Sequence, residues 1–183
     1  MRDHLIEDPV FRYRLRLSRE DEVLRGEFWV QPGGGGTIEH LHPPLEERFE
    51  VLEGELSYRA DGTDHIAHAG ERFTIPPGVR HSFRNSGHGT AHLVVEMEPA
   101  LQMAQLFEDA AALGRAGKWI AVGRRGIPTG PRALLEMADF LDRYRDIFIP
   151  TSPPRRLQRI AIPPLARIAR RRHTGSREGA MRG

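Results

Sequence analysis

The chain of 183 residues contains no cysteine and a single lysine, Lys118. The lack of cysteine excludes a disulfide scaffold, a thiolate metal site and a catalytic thiol. No run of about 18 apolar residues occurs, so no helix is expected to span a membrane. The opening residues, Met1-Arg2-Asp3-His4, start no signal-peptide pattern, and a cytoplasmic location is the expectation. The length suits one domain of ordinary size plus an appendage.

Arginine takes the place of lysine and supplies the other 26 of the 27 basic residues. Arginine does not deprotonate in proteins, so its distribution fixes the charge of each region. Residues 151–183 carry nine arginines against one acid, Glu178, a formal +8. The 150 residues before them carry 18 basic and 24 acidic groups, a formal −6. The small net charge of +2 therefore hides an acidic body with a basic tail.

The first hundred residues read as short strands: 10–17, 24–31, 37–42, 48–52, 55–60, 65–68, 72–75, 81–85 and 91–97. Turn signals separate them, among them Gly33 to Gly36, Glu53-Gly54, Asp61-Gly62 and Pro76-Pro77-Gly78. Many short strands with regular turns predict a sandwich or barrel. The period changes after Pro99. Met103, Leu106, Phe107, Ala110 and Leu113 follow helical spacing and predict a helix over 101–114. A Gly/Pro loop is expected over 123–130. A second helix over 131–148 starts on Pro131 and carries the stripe Leu134, Met137, Ala138, Leu141, Tyr144 and Phe148. The Gly/Ser/Arg end of the tail is expected to be disordered.

Nine histidines stand against the missing cysteines. His40 and His42 flank Leu41 on one predicted strand. At period two both imidazoles face one way, about 7 Å apart along the backbone. Glu47 lies on the next strand and shares a face with Phe49 and Val51. His81 opens a further strand after the Pro76-Pro77-Gly78 turn. Three imidazoles and one carboxylate make a mixed N/O set suited to a divalent first-row metal, Fe, Mn, Ni, Zn or Cu. His65 and His68 differ by three, so at most one can face the interior, and surface placement is expected for both and for His92. Phe49, Phe73 and Phe83 read as core, Tyr58 as a weaker candidate for the pocket wall, and Arg48 and Arg84 as outward. Glu46 beside Glu47 reads as a solvated acid.

These residues carry a resemblance to the cupin superfamily. Its first motif is Gly, five residues, His-x-His, four residues, Glu, six residues, Gly, and here Gly34, His40, His42, Glu47 and Gly54 fill it. The second is Gly, five residues, Pro-x-Gly, two residues, His, three residues, Asn, and Gly70, Pro76, Gly78, His81 and Asn85 fill it. The motifs span residues 34–85. The fifteen residues between them suit a small single-domain microbial cupin of the cupin 2 type. The resemblance implies a mainly β fold, a double-stranded β-helix (jelly-roll) barrel over roughly 8–98, with a C-terminal helical extension. It further implies a metal held by His40, His42, Glu47 and His81, a small-molecule ligand in the barrel, and a homodimer.

The resulting organisation is a barrel over 1–98, a two-helix extension over 99–149 that packs on the barrel or a partner, and an Arg/Pro-rich tail over 150–183. The leading functional expectation is a metal-dependent oxygenase-type enzyme on a small organic molecule, a dioxygenase before an isomerase or decarboxylase. No separate catalytic acid or base can be named. A non-catalytic binding or sensing barrel is the alternative. A third reading attaches residues 155–172, where leucine and isoleucine alternate with arginine, to an anionic membrane surface. Nucleic acid is disfavoured, because the tail lacks interleaved aromatics and no helix-turn-helix is evident.

Overall fold

A computed structural model describes residues 5–35, 38–122 and 125–180. The strands are β1 (Leu5–Asp8), β2 (Tyr13–Glu20), β3 (Val23–Val30), β4 (His40–Leu41), β5 (Glu46–Glu53), β6 (Glu55–Ala60), β7 (Thr63–His68), β8 (Arg72–Ile75), β9 (His81–Asn85) and β10 (Ala91–Glu98). Helix α1 (Met103–Arg115), strands β11 (Trp119–Val122) and β12 (Arg125–Pro128), helix α2 (Pro131–Arg143), strand β13 (Ile149–Pro150) and helix α3 (Arg155–Ala180) follow.

Two antiparallel sheets form the jelly roll. One has the order β1-β2-β3-β10-β5-β8 and the other β13-β4-β9-β6-β7. Alternation sets which residues point inward. Along β2, Tyr13, Leu15 and Leu17 are buried while Arg14 and Arg16 are exposed. Along β5, Glu47, Phe49 and Val51 are the buried set. The inward face of β10 adds Leu93, Val95 and Met97.

The motif glycines and asparagine act on the backbone. A Cβ on Gly34 would sit 2.8 Å from the carbonyl oxygens of Phe11 and Arg12, so only glycine allows this approach. Gly54 has φ +82 and lies against Ala91, where a Cβ would come within 3.1 Å of its Cα. Asn85 is buried. Its Nδ2 donates to the carbonyls of Val30 and Gly89, and its Oδ1 accepts from the Gly87 N–H. It thereby pins the 86–90 turn to β3.

Several elements differ from the sequence reading. The strand expected from residue 10 starts at Tyr13, because Asp8 Oδ1 accepts the N–H groups of Val10 and Phe11 and turns the chain there. β1 precedes that turn. The strand expected over 37–42 is only His40–Leu41, since Pro43-Pro44 ends the pairing; Thr37 lies outside the described residues. The expected 123–130 loop contains β12, which pairs with β11 just before it to form a hairpin whose connection at 123–124 lies outside the described residues. α2 stops at Arg143, before Phe148. The N–H groups of Ile147 and Phe148 both bond to the Tyr144 carbonyl, and the chain then extends into β13. Leu134, placed on the α2 stripe, is exposed.

The tail is helical through Ala180, so the start of the Gly/Ser/Arg end expected to be disordered continues α3, while residues 181–183 lie outside the described residues. Pro163 and Pro164 sit inside α3, and both remove a helical N–H donor. α3 lies on α2: Gln158, Ala166 and Ala169 are buried, and Arg170 reaches Asp139 at 2.9 Å and Asp142 at 2.7 Å.

Candidate metal centre

Three strands, and His42 just past the end of β4, bring the four candidate side chains together. His40 of β4 pairs directly with His81 of β9, and Glu47 enters from β5 opposite Ile75 of β8. His40, His42, Glu47 and His81 are all buried. One ligand atom from each of the three imidazoles falls within a 4.8 Å cluster. Nε2 of His40 is 2.9 Å from Nε2 of His42. Glu47 Oε1 is 3.7 Å from His42 Nε2, and its Oε2 is 2.7 Å from His81 Nε2.

The outer nitrogen of each ring faces a backbone carbonyl. Nδ1 lies 2.7 Å from Ile38 O for His40, 3.1 Å from Val79 O for His81 and 2.5 Å from Ile147 O for His42. A carbonyl only accepts, so each Nδ1 carries the proton and each neutral ring turns an Nε2 lone pair to the centre. Two such lone pairs 2.9 Å apart repel unless a cation lies near them. Glu47 Oε2 is buried and faces His81 Nε2 at 2.7 Å: a protonated His81 donates to it, and a neutral His81, with its proton on Nδ1, leaves it without a donor. With the rings neutral, three converging imidazole lone pairs and a carboxylate oxygen lacking a donor fit a divalent metal.

The electrostatics divide the cluster. Burial, then the neighbouring His81 and His42, hold His40 well below the ordinary imidazole range. Burial also lowers His42, against the pull of Glu47. At His81 burial works in the same direction but Glu47 outweighs it, so the ring is raised. Burial pushes Glu47 up, and His42 and His81 beside it pull it further down. Without a cation the charge of the cluster therefore resides on the Glu47–His81 pair.

The four groups sit at one end of a cavity of about 80 Å³. Its wall is otherwise carbon-rich. The barrel contributes Phe28, Phe49 and Phe83, and the whole predicted stripe of α1 faces the same space. Met137, Phe140 and Leu141 of α2 close it with Trp119 of β11. Phe148 lies against the centre, its ring 4.7 Å from that of His40. β13 then pairs with β4 through Ile149–Leu41 and Pro150–His40.

The remaining candidates lie elsewhere. Tyr58 is not in the cavity wall; it stacks between Phe73 and His65, with centroids at 3.8 and 4.9 Å. His65 and His68 are exposed, and His92 stacks outside on Trp29. Arg48 points outward to Glu46, Glu96 and Glu98. Arg84 is exposed. The Ile147 carbonyl and the Phe148 ring went unread as site groups. A carbonyl carries no side-chain signal, and Phe148 registered only as one more position of a helical stripe.

The family model for the Cupin domain matches residues 26–96. Protein SchB of Streptomyces halstedii is 39% identical over 70 residues, which cover 38% of this chain and 50% of SchB. Polyketide synthase CurC of Streptomyces cyaneus is 39% identical over 66 residues, 36% of this chain and 43% of CurC. The chain thus spans about half the length of the curated relatives it matches. Among solved structures, an RmlC-like cupin from Shewanella frigidimarina is 22% identical with a TM-score of 0.49, covering 56% of this chain and 89% of that one. Residues 26–96 of the chain thus form a cupin domain.

Proposed function

We propose that the barrel holds a divalent transition metal on His40, His42, Glu47 and His81 and is a metal-dependent oxygenase-type enzyme acting on a small, weakly polar organic molecule. One observation carries this reading: three carbonyl-anchored imidazoles and the buried Glu47 carboxylate converge in an aromatic-walled cavity. A bound metal of this class supplies Lewis acidity and, for Fe, Mn, Ni or Cu, one-electron chemistry toward O₂. The protein's part is to fix the ligands, exclude water and lay a flat molecule against aromatic rings.

The wall favours an oxygenase over an isomerase or decarboxylase. Apart from the four candidate ligands, its polar side chains among the described residues are Tyr13 and Trp119. Burial, and the nearby Asp8 carboxylate, raise the Tyr13 hydroxyl well above its ordinary range. A reaction that shuttles protons between side chains therefore lacks a second group tuned near neutrality, whereas chemistry at a metal needs none. A curated relative bears the name polyketide synthase, so a hydroxylated aromatic of polyketide type is the first substrate class to test. The homodimer implied by the family is retained in this reading and is checked by light scattering.

The deciding experiment purifies the protein without added metal, measures metal by elemental analysis, and follows O₂ uptake with a hydroxynaphthoquinone probe after reconstitution with each candidate metal. About one metal per chain and metal-dependent O₂ uptake, lost in Glu47→Ala, are expected. Probe binding without turnover under any metal transfers the assignment to the binding-barrel alternative. A protein that is metal-free and cannot be reconstituted overturns the metal site.

A further inference from the structure

We propose that the outward face of α3 is a docking surface for an anionic lipid bilayer. The helix has two unlike faces. The inner face is spent on the protein: Gln158, Ala166 and Ala169 are buried, and Arg170 is held by Asp139 and Asp142 of α2. On the outer face Leu157, Ile160 and Ile168 are 56%, 74% and 44% exposed, and Ile160 is the most exposed large hydrophobic residue among those described. At about 100° per residue these three fall within one narrow sector, with Pro164 between them. Arg156 and Arg167 border that sector, whereas Arg155 and Arg159 turn toward α2 and line a cleft with Asp142 and Asp146.

The charge of this face points to the partner. No acid occurs between Arg155 and Arg172. On this face Arg156 and Arg167 make no ion pair among the described residues, in contrast to Arg48, Arg59, Arg72 and Arg143, each of which pairs with a carboxylate. An anionic surface must therefore come from outside. A second copy meeting this face with its own would set arginine against arginine. A nucleic acid would pair the guanidiniums but leave the leucine and isoleucines in water. A bilayer with anionic headgroups satisfies both: the apolar side chains enter the headgroup–acyl boundary while the arginines extend to the phosphates. The α3–α2 contacts hold the helix on the body, so docking carries the whole barrel to the surface.

The test uses the full chain and sedimentation with vesicles of phosphatidylcholine, with and without phosphatidylglycerol. Binding is expected only to the anionic vesicles and should fall steeply with salt. Arg156→Gln and Arg167→Gln together should lower partition about 25-fold, near fivefold per arginine. Leu157→Ser with Ile160→Ser should lower it at least tenfold. Because these side chains are exposed, both variants should keep the wild-type thermal midpoint, which separates lost docking from lost fold. Three results overturn the proposal: no binding, equal binding to both vesicle types, or anionic binding that neither variant changes. Tighter binding to a DNA duplex than to vesicles, or self-association abolished by Ile160→Ser, also overturns it and reassigns the face.

Discussion

The barrel and the C-terminal extension meet at the same imidazoles by different physical routes. The barrel supplies the donors through period-two alternation: His40, Glu47 and His81 occupy inward positions on three strands. Among the described residues the extension supplies no donor. It contributes the Ile147 carbonyl behind His42, the Phe148 ring beside His40 and much of the cavity wall. The identity of the donors is thus a local matter, written in residue types a few positions apart. The orientation of one donor is non-local, since the His42 partner lies 105 residues downstream.

The largest way to break this comparison is on the barrel side. His40→Ala with His42→Ala removes two donors, and metal affinity is expected to fall well beyond the 10–100-fold typical of an outer partner, measured by chelator competition. Next comes the extension. Phe148→Ala leaves every donor in place but opens a void beside His40. It should destabilise the protein by about 3–5 kcal/mol in urea unfolding, and metal affinity should drop about 10–100-fold if the strap positions His42 as a carbonyl partner does elsewhere. Unchanged metal affinity in a folded Phe148→Ala protein would show that the barrel alone sets the site.

The acid–base behaviour of the metal-free protein sharpens the contrast within the cluster. His40 and His42 are held below their ordinary range, so the unfolded chain binds protons there that the folded chain refuses, and stability should fall as pH drops below about 6.5. His81 is raised, so its contribution is complete below about 6.5 and is lost as pH rises through its folded value. Stability of the chelator-treated protein should therefore be greatest near pH 6.5. His40→Gln should flatten the acid limb and leave the alkaline limb in place, as read from urea midpoints across pH. A smaller effect is expected inside the extension. Tyr144→Phe removes a hydroxyl that donates to Asp109 at 2.8 Å and ties α2 to α1. It should cost about 1.5–3 kcal/mol, with no change at the metal centre. Smallest of all, Arg170→Gln loosens α3 from α2 by about 0.2–1 kcal/mol, because the pair is exposed.

The same division explains what the sequence made legible. Strand alternation exposed the barrel, and the motif spacing exposed His40, His42, Glu47 and His81, because each lies near the others in sequence or follows a glycine-bearing turn. The α1 stripe was readable as an apolar face, though the sequence alone could not say that this face walls the cavity. β13 was hidden: two residues, one of them proline, form no strand pattern, and their pairing with β4 depends on a return of the chain across more than a hundred positions. Tyr58, the weaker pocket candidate, was undecided because an aromatic on a barrel strand suits the pocket or an outer stack, and here Phe73 and His65 claim it.

The single bond from His42 to the Ile147 carbonyl has a thermodynamic corollary. If a metal binds the folded site and not the unfolded chain, it stabilises the folded state in proportion to the logarithm of its concentration over its dissociation constant. Because that site includes a carbonyl of the extension, part of that free energy is returned to residues 147–150 as resistance to local opening. Metal occupancy and docking of this short strap then form one linked equilibrium. Amide hydrogen exchange at Ile147 to Ile149 should slow when metal is added, while the distant strands β6 and β7 change far less.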